Sequence, residues 1–216
     1  MKKTIILLTA KHYAGKGFLS KLMQKSCFKR SIPCQIHSAR DLISTFITCI
    51  NAELGHVYPV KEDSANIRLV GQLLTINHDK QNGLPLINSK HVGYIRGSKS
   101  PVHIIDSIWH PHLIPIWKNM SDEFNVILLA IEASDEDRFA GFLERNTSTE
   151  SGQKNPDFFH NRDMQEEQSG VANAPCISEC ISMADIVFQN NRNNLNLIDD
   201  LEKIMDTILS NHALVV

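Results

Sequence analysis

Short, unbroken apolar runs alternate with stretches of helical period along the whole 216-residue chain. The runs predict strands over Thr4–Thr9, Pro33–His37, Val102–Asp106, Val126–Glu132 and Asp185–Gln189. Being continuous rather than alternating, they suit strands covered on both faces, as in a parallel sheet. Between them the spacing predicts helices at about Lys16–Ser26, Ala39–Glu53, Ser64–His78, His112–Met120, Asp135–Arg145, Pro156–Glu167 and Leu195–Ser210. The last has the clearest stripe, Leu197, Leu201, Ile204, Met205, Ile208 and Leu209, and is expected to pack on the sheet. Residues 147–155 are polar and turn-rich and read as a mobile loop. The stretch from Gly83 to Pro101 shows no assignable period. Strand and helix alternate throughout, the pattern of an α/β protein with a parallel sheet.

Composition narrows this without changing it. A 42% hydrophobic and 21% charged content is ordinary for a globular chain, and 216 residues suit one domain with a small lid at about 138–165. A net charge of -2 gives no basic field for extended nucleic acid or an anionic membrane. Two lysines precede the first apolar run, but that run ends at Lys11, too soon for a secretory core or a membrane span. The expectation is a buried first strand in a cytoplasmic protein. Five scattered cysteines (Cys27, Cys34, Cys49, Cys176 and Cys180) fit reduced thiols. Cys176 and Cys180 could share a helix face, and His110 and His112 flank Pro111, but neither pair closes a metal site.

The chemistry concentrates after the first strand, in Ala10 to Leu19, AKHYAGKGFL. The phosphate-binding pattern Gly-x-x-x-x-Gly-Lys-Ser/Thr sits between a strand and a helix, where backbone N–H groups surround phosphates and the lysine reaches the outer ones. Gly15 and Lys16 are in register. Ala10 replaces the first glycine, which is tolerable at negative φ. Gly17 replaces the hydroxyl residue that would bind Mg²⁺, Phe18 follows it, and Ser20 lies a turn too far along. His12, Tyr13, Ala14, Gly15, Lys16, Gly17 and Phe18 are thus candidate ATP-binding residues. A strand-to-helix turn with a surface lysine is the alternative.

Phosphoryl transfer needs a held Mg²⁺, several cations and exclusion of water. Asp106 ends the third strand, where an acid would sit beside a phosphate loop and could hold Mg²⁺; a helix cap or turn role suits it equally. Arg138 and Arg145 are two helical turns apart, on one face, and with Arg162 they flank the polar loop as candidate lid arginines. Solvated surface charge is the other reading. Ser38, Arg40, Asp41 and Arg68 could hold the acceptor's phosphate or polar groups, although Arg40 and Asp41 also suit the opening of a helix.

In their shared order these motifs resemble the P-loop kinases of the nucleoside monophosphate kinase and dephospho-CoA kinase type. Besides AKHYAGKGF, they are Ile104 to Pro111 (IIDSIWHP), Asp135 to Phe139, Glu144-Arg145, Asn155 to Phe159, Arg162-Asp163 with Glu166 or Glu167, and Met183 to Asn190 (MADIVFQN). The resemblance implies a three-layer P-loop NTPase fold whose five-stranded parallel sheet has the order 2-3-1-4-5, with ATP and Mg²⁺ as cosubstrates. It implies transfer of a phosphoryl group to a nucleotide-like small molecule. Lys16 would bind the outer phosphates, Asp106 the metal or acceptor, and Arg138, Arg145 and Arg162 the transition state, while Asn190 would end a strand near the adenine. Trp109 stands where many relatives have a substrate-contacting arginine. A P-loop module that binds nucleotide without catalysis is the competing expectation.

Overall fold

The computed structural model describes residues 2–53, 64–144, 156–168 and 174–213. Its elements are β1 (Lys3–Ala10), α1 (Lys16–Lys29), β2 (Cys34–Ser38), α2 (Ala39–Glu53), α3 (Ser64–Ile76), α4 (Leu86–Gly97), β3 (Val102–Asp106), α5 (Leu113–Lys118), β4 (Phe124–Glu132), α6 (Asp135–Glu144), α7 (Pro156–Gln165), α8 (Ile177–Ser182), β5 (Ile186–Gln189) and α9 (Leu197–Ala213).

The strands form one five-stranded parallel sheet in the order β2-β3-β1-β4-β5, as the motifs implied. Central β1 pairs with β3 and β4, setting Leu8 opposite both Asp106 and Leu129. Ile5, Ile6, Leu7 and Leu8 have no exposed surface, so both faces of β1 are covered and its run is apolar without alternation. Ile6 and Leu8 join Leu19 and Met23 of α1 and Leu201, Met205 and Ile208 of α9 in one core cluster. Across the α1–α9 contact, Arg30 and Ser26 both bond Glu202.

The chain divides into two compact units, one of Met1–Ile36 with Ser100–Val216 and one of His37–Lys99. In the second, α2 and α3 pack through Leu42, Ile43, Ile47, Ile67, Val70 and Leu74. Gly71 permits the approach, because a Cβ there would come within 3.0 Å of Ile43 Cδ1. Two helices differ from the sequence expectation: α4 lies inside the unassigned stretch, and short α8 follows Cys176. Arg145 and the loop at 147–155 lie outside the described residues.

Candidate functional site

The turn from β1 into α1 is made by Lys11 to Gly15. Tyr13 and Gly15 both have positive φ, 61° and 86°. Gly15 needs its missing side chain twice over, since its φ is left-handed and a Cβ would collide with Asn190 Nδ2. Its carbonyl accepts from Phe18 N and Leu19 N at 3.0 Å, which starts the helix, and no side chain caps the terminus. Lys16 is half-buried there, with no hydrogen-bond or ion-pair partner among the described residues.

Two side chains hold the loop's carbonyls. Arg138 Nη1 donates to the His12 carbonyl at 2.9 Å, and Asn190 Nδ2 donates to the Ala14 carbonyl at 2.8 Å. A trans peptide is planar, with C=O and N–H on opposite sides. Pinning these carbonyls therefore turns the N–H groups of Tyr13 and Gly15 away from the restraining side chains. Ala14 N, between them, donates to the Lys11 carbonyl at 3.3 Å; backbone N–H groups directed outward at a helix N-terminus are what an anion-binding loop offers.

Arg138 is 1% exposed, and all five of its N–H donors are engaged. Besides His12 they serve Asp135 Oδ1, at 3.3 Å from Nε and 3.0 Å from Nη2, and both oxygens of Asp163. These hydrogen bonds outweigh burial and raise the guanidinium further, while Arg138 lowers Asp135. In this conformation no donor remains for a phosphate, so Arg138 acts here as a clamp from α6 and α7 onto the loop. These helices and the turn after α7 also hold the loop's side chains. His12 Nε2 meets Glu166 Oε1 at 2.5 Å, and the Tyr13 ring packs edge-on to Phe142 with centroids 5.2 Å apart. Arg162 Nη1 bonds the Tyr13 hydroxyl at 3.2 Å.

Beside the loop is a cavity of about 210 Å³ lined by Tyr13, Gly15, Ala133, Asp137, Gly141, Asn190 and Arg192. Asn190 N donates to the Glu132 carbonyl at 2.7 Å, fixing the end of β5 against β4. Arg192 had no signal in the sequence reading. Its guanidinium is held by a two-pronged pair with Glu144, 48 residues away, at 2.6 and 2.7 Å, and its backbone N–H donates to Asp137 at 3.2 Å.

Asp106 closes β3, half-buried, and accepts the Ser107 hydroxyl on Oδ1 at 3.1 Å. Ser107 has φ 83°, a left-handed turn that ends the strand, and Ile108 N returns to the Leu8 carbonyl at 2.8 Å. The indole N–H of nearby Trp109 is buried without a partner. Ser20 donates its hydroxyl to the Gly17 carbonyl at 3.2 Å. Among the described residues no three metal-ligating side chains cluster. Mg²⁺ rarely needs such a cage, since one carboxylate with water and phosphate oxygens commonly holds it, and Asp106 fits that role.

No family model matches the chain, and no curated protein matches it in sequence. Solved structures match in shape over nearly full length. A shikimate kinase from Bacteroides thetaiotaomicron gives a TM-score of 0.52 at 13% identity, covering 96% of this chain and 98% of its own. TT1252 from Thermus thermophilus gives 0.54 at 15%, covering 98% of each. The Mycobacterium tuberculosis APS kinase CysC, in complex with AMPPNP and APS, gives 0.50 at 10%, covering 97% and 98%. The fold is that of the P-loop kinases. At these identities the likeness is one of fold, and chemistry has to be argued from the residues.

The other candidate residues lie in the unit of residues 37–99. Ser38 Oγ accepts from Asp41 N at 3.2 Å, so Ser38 caps α2 and Asp41 occupies its first turn, as the helix-opening reading had it. Arg40 is exposed with no partner among the described residues. Arg68 falls in α3, and its side chain lies outside what is described. No described helix is long and apolar enough to cross a membrane.

Proposed function

We propose that the protein is an ATP-dependent kinase that transfers the γ-phosphoryl group to a nucleotide or nucleotide-like acceptor. The observation that carries the reading is the Lys11–Gly15 turn. Its carbonyls are tied back by Arg138 and Asn190, while Lys16 has no partner among the described residues and stands at a helix terminus with no side-chain cap. A lysine and outward-turned backbone N–H groups at a helix N-terminus suit a polyphosphate. The cavity under Asn190 and Arg192 is on hand for the rest of the nucleotide.

In this reading Lys16 and the loop N–H groups fix the phosphate chain and stabilise charge that develops on it during transfer. Asp106 would hold Mg²⁺, which supplies further neutralisation of the phosphate oxygens. Arg138 and Asp163 keep the loop in shape, Tyr13 is braced by Arg162, and Ser38, Arg40, Asp41 and Arg68 remain the candidates for holding the acceptor. Arg145 remains a candidate lid arginine.

Calorimetric titration tests the loop: Lys16→Ala should weaken ATP binding by about tenfold or more, the scale of one lost charge-assisted contact. Unchanged affinity would remove the phosphate-loop reading. Mass spectrometry of ATP and Mg²⁺ with nucleoside monophosphates and dephospho-CoA tests transfer. Asp106→Asn should cost on the order of 10²–10³ in rate while leaving ATP affinity nearly unchanged. The second reading, a nucleotide-binding regulatory module, is favoured by the glycine at 17 and the full engagement of Arg138. ATP binding with no product from any acceptor would select it.

A further inference from the structure

Helix α4 buries a single stripe: Asn88, His91, Val92 and Ile95. That spacing is the one an amphipathic helix fills with apolar residues, yet its first two places are polar. Asn88 is 1% exposed and His91 4%. Neither amide atom of Asn88 and neither ring nitrogen of His91 has a hydrogen-bond partner among the described residues. Buried polar groups are nearly always paired, because desolvation is otherwise uncompensated. Residues three apart on a helix are neighbours, so four orphaned polar atoms lie on one short patch.

The patch is uncharged. The His37 ring meets that of His91 edge-on, with centroids 6.0 Å apart. Burial, with a contribution from His37, pushes His91 down to about 3, and burial lowers His37 as well. Lys90, the adjacent cation on α4, is exposed and lies over the Phe46 ring, 5.9 Å from its centroid. A phosphate would find no countercharge from these imidazoles. A neutral imidazole offers one donor and one acceptor, and an amide offers two donors and a carbonyl oxygen. The complement is an uncharged group carrying both kinds, such as the amide-like edge of a nucleobase or the neighbouring hydroxyls of a polyol.

We propose that Asn88 and His91 form a binding site for the uncharged donor–acceptor head of a small molecule. That this molecule is the phosphoryl acceptor rests on the kinase reading; the site itself does not.

Nitrogen-15 NMR of the histidine rings in the full-length protein provides the test, with adenosine, guanosine, cytidine, thymidine and myo-inositol as probes. One probe class should shift the His91 ring nitrogens saturably. Asn88→Leu should lower that probe's affinity about tenfold, the scale of a lost hydrogen-bonded group, without altering ATP affinity. A response to nucleosides assigns a heterocycle edge, and a response to inositol assigns a polyol. If Asn88→Leu does not fold, His91→Gln, which keeps a donor and an acceptor, should bind the same probe more weakly. Silence of the His91 nitrogens toward every probe, or undiminished affinity in the folded variants, overturns the site and leaves the pair holding internal water. ATP binding with a silent His91 removes this site and leaves the kinase reading. A responding His91 in a protein that does not bind ATP does the reverse.

Discussion

Gly17 stands in the first turn of α1 where the phosphate-binding pattern has a hydroxyl, and nothing steric keeps it a glycine: a Cβ there would meet no atom within 4 Å. Its backbone is helical, so a side chain costs nothing in conformation and removes part of glycine's entropic penalty. Gly15 is the opposite case, bound to glycine by its φ and by Asn190. Gly17→Thr should therefore fold at least as well as the parent and add an oxygen where Mg²⁺ would sit. Titration of ATP with Mg²⁺ and with EDTA should show the metal's contribution to affinity growing, by roughly tenfold for one added oxygen ligand of ordinary strength. An unchanged ratio of the two affinities would mean that Mg²⁺ does not approach this turn.

At the scale of elements, the loop owes its shape to α6 and α7, joined by the Arg138 guanidinium over the Phe159 ring, 4.9 Å from its centroid. Breaking one arm of a buried ion pair leaves an uncompensated charge. Asp163→Asn should cost on the order of 2–3 kcal/mol in denaturant unfolding, less than full loss because Asp135 remains, and should raise hydrogen exchange across residues 11–15. Unaltered exchange there would mean that the clamp does not restrain the loop. The sequence revealed the parts of this arrangement unevenly. The central strands β1 and β3 were legible because burial on both faces leaves a local trace, an apolar run, while the half-exposed edge strands β2 and β5 keep only a short apolar core between turn residues. The Gly15-Lys16 turn was legible because its chemistry is local too. Helix α4 escaped because Asn88 and His91 occupy two places of its buried stripe and break the period, and α8 because six residues barely complete a turn and a half. The bonds of Arg138 to His12 and Asp163 and the pairing of Arg192 with Glu144 join residues 25 to 126 positions apart. No pattern along the chain encodes those distances, so Arg138 read as a lid arginine and Arg192 did not read at all.

Across the whole molecule, acid should act on the two units in separate pH windows. His91, in the unit of residues 37–99, is held near 3 against an ordinary 6.5, so below about pH 6.5 the unfolded chain binds a proton that the folded one refuses. Stability then falls as pH drops from about 6.5 toward 3, with a slope approaching about 1.4 kcal/mol per pH unit for one proton. Glu202, in the other unit, is held down to about 2 from an ordinary 4.5 by the Ser26 hydroxyl first and then by Arg30 and Lys29. Its contribution is intact above about pH 4.5 and is lost as pH falls through 2. Between pH 6.5 and 4.5 only the first window is open. Hydrogen exchange of the full chain should show protection in 86–97 decreasing over that range while 16–29 and 197–210 keep theirs, and the second set should weaken only below pH 4.5. His91→Gln should shrink the upper window, leaving the smaller part that buried His37 contributes, and should leave the lower one, while Glu202→Gln should do the converse. Simultaneous loss of protection in both sets near pH 6, unaltered by His91→Gln, would mean that the buried imidazole does not govern the acid response.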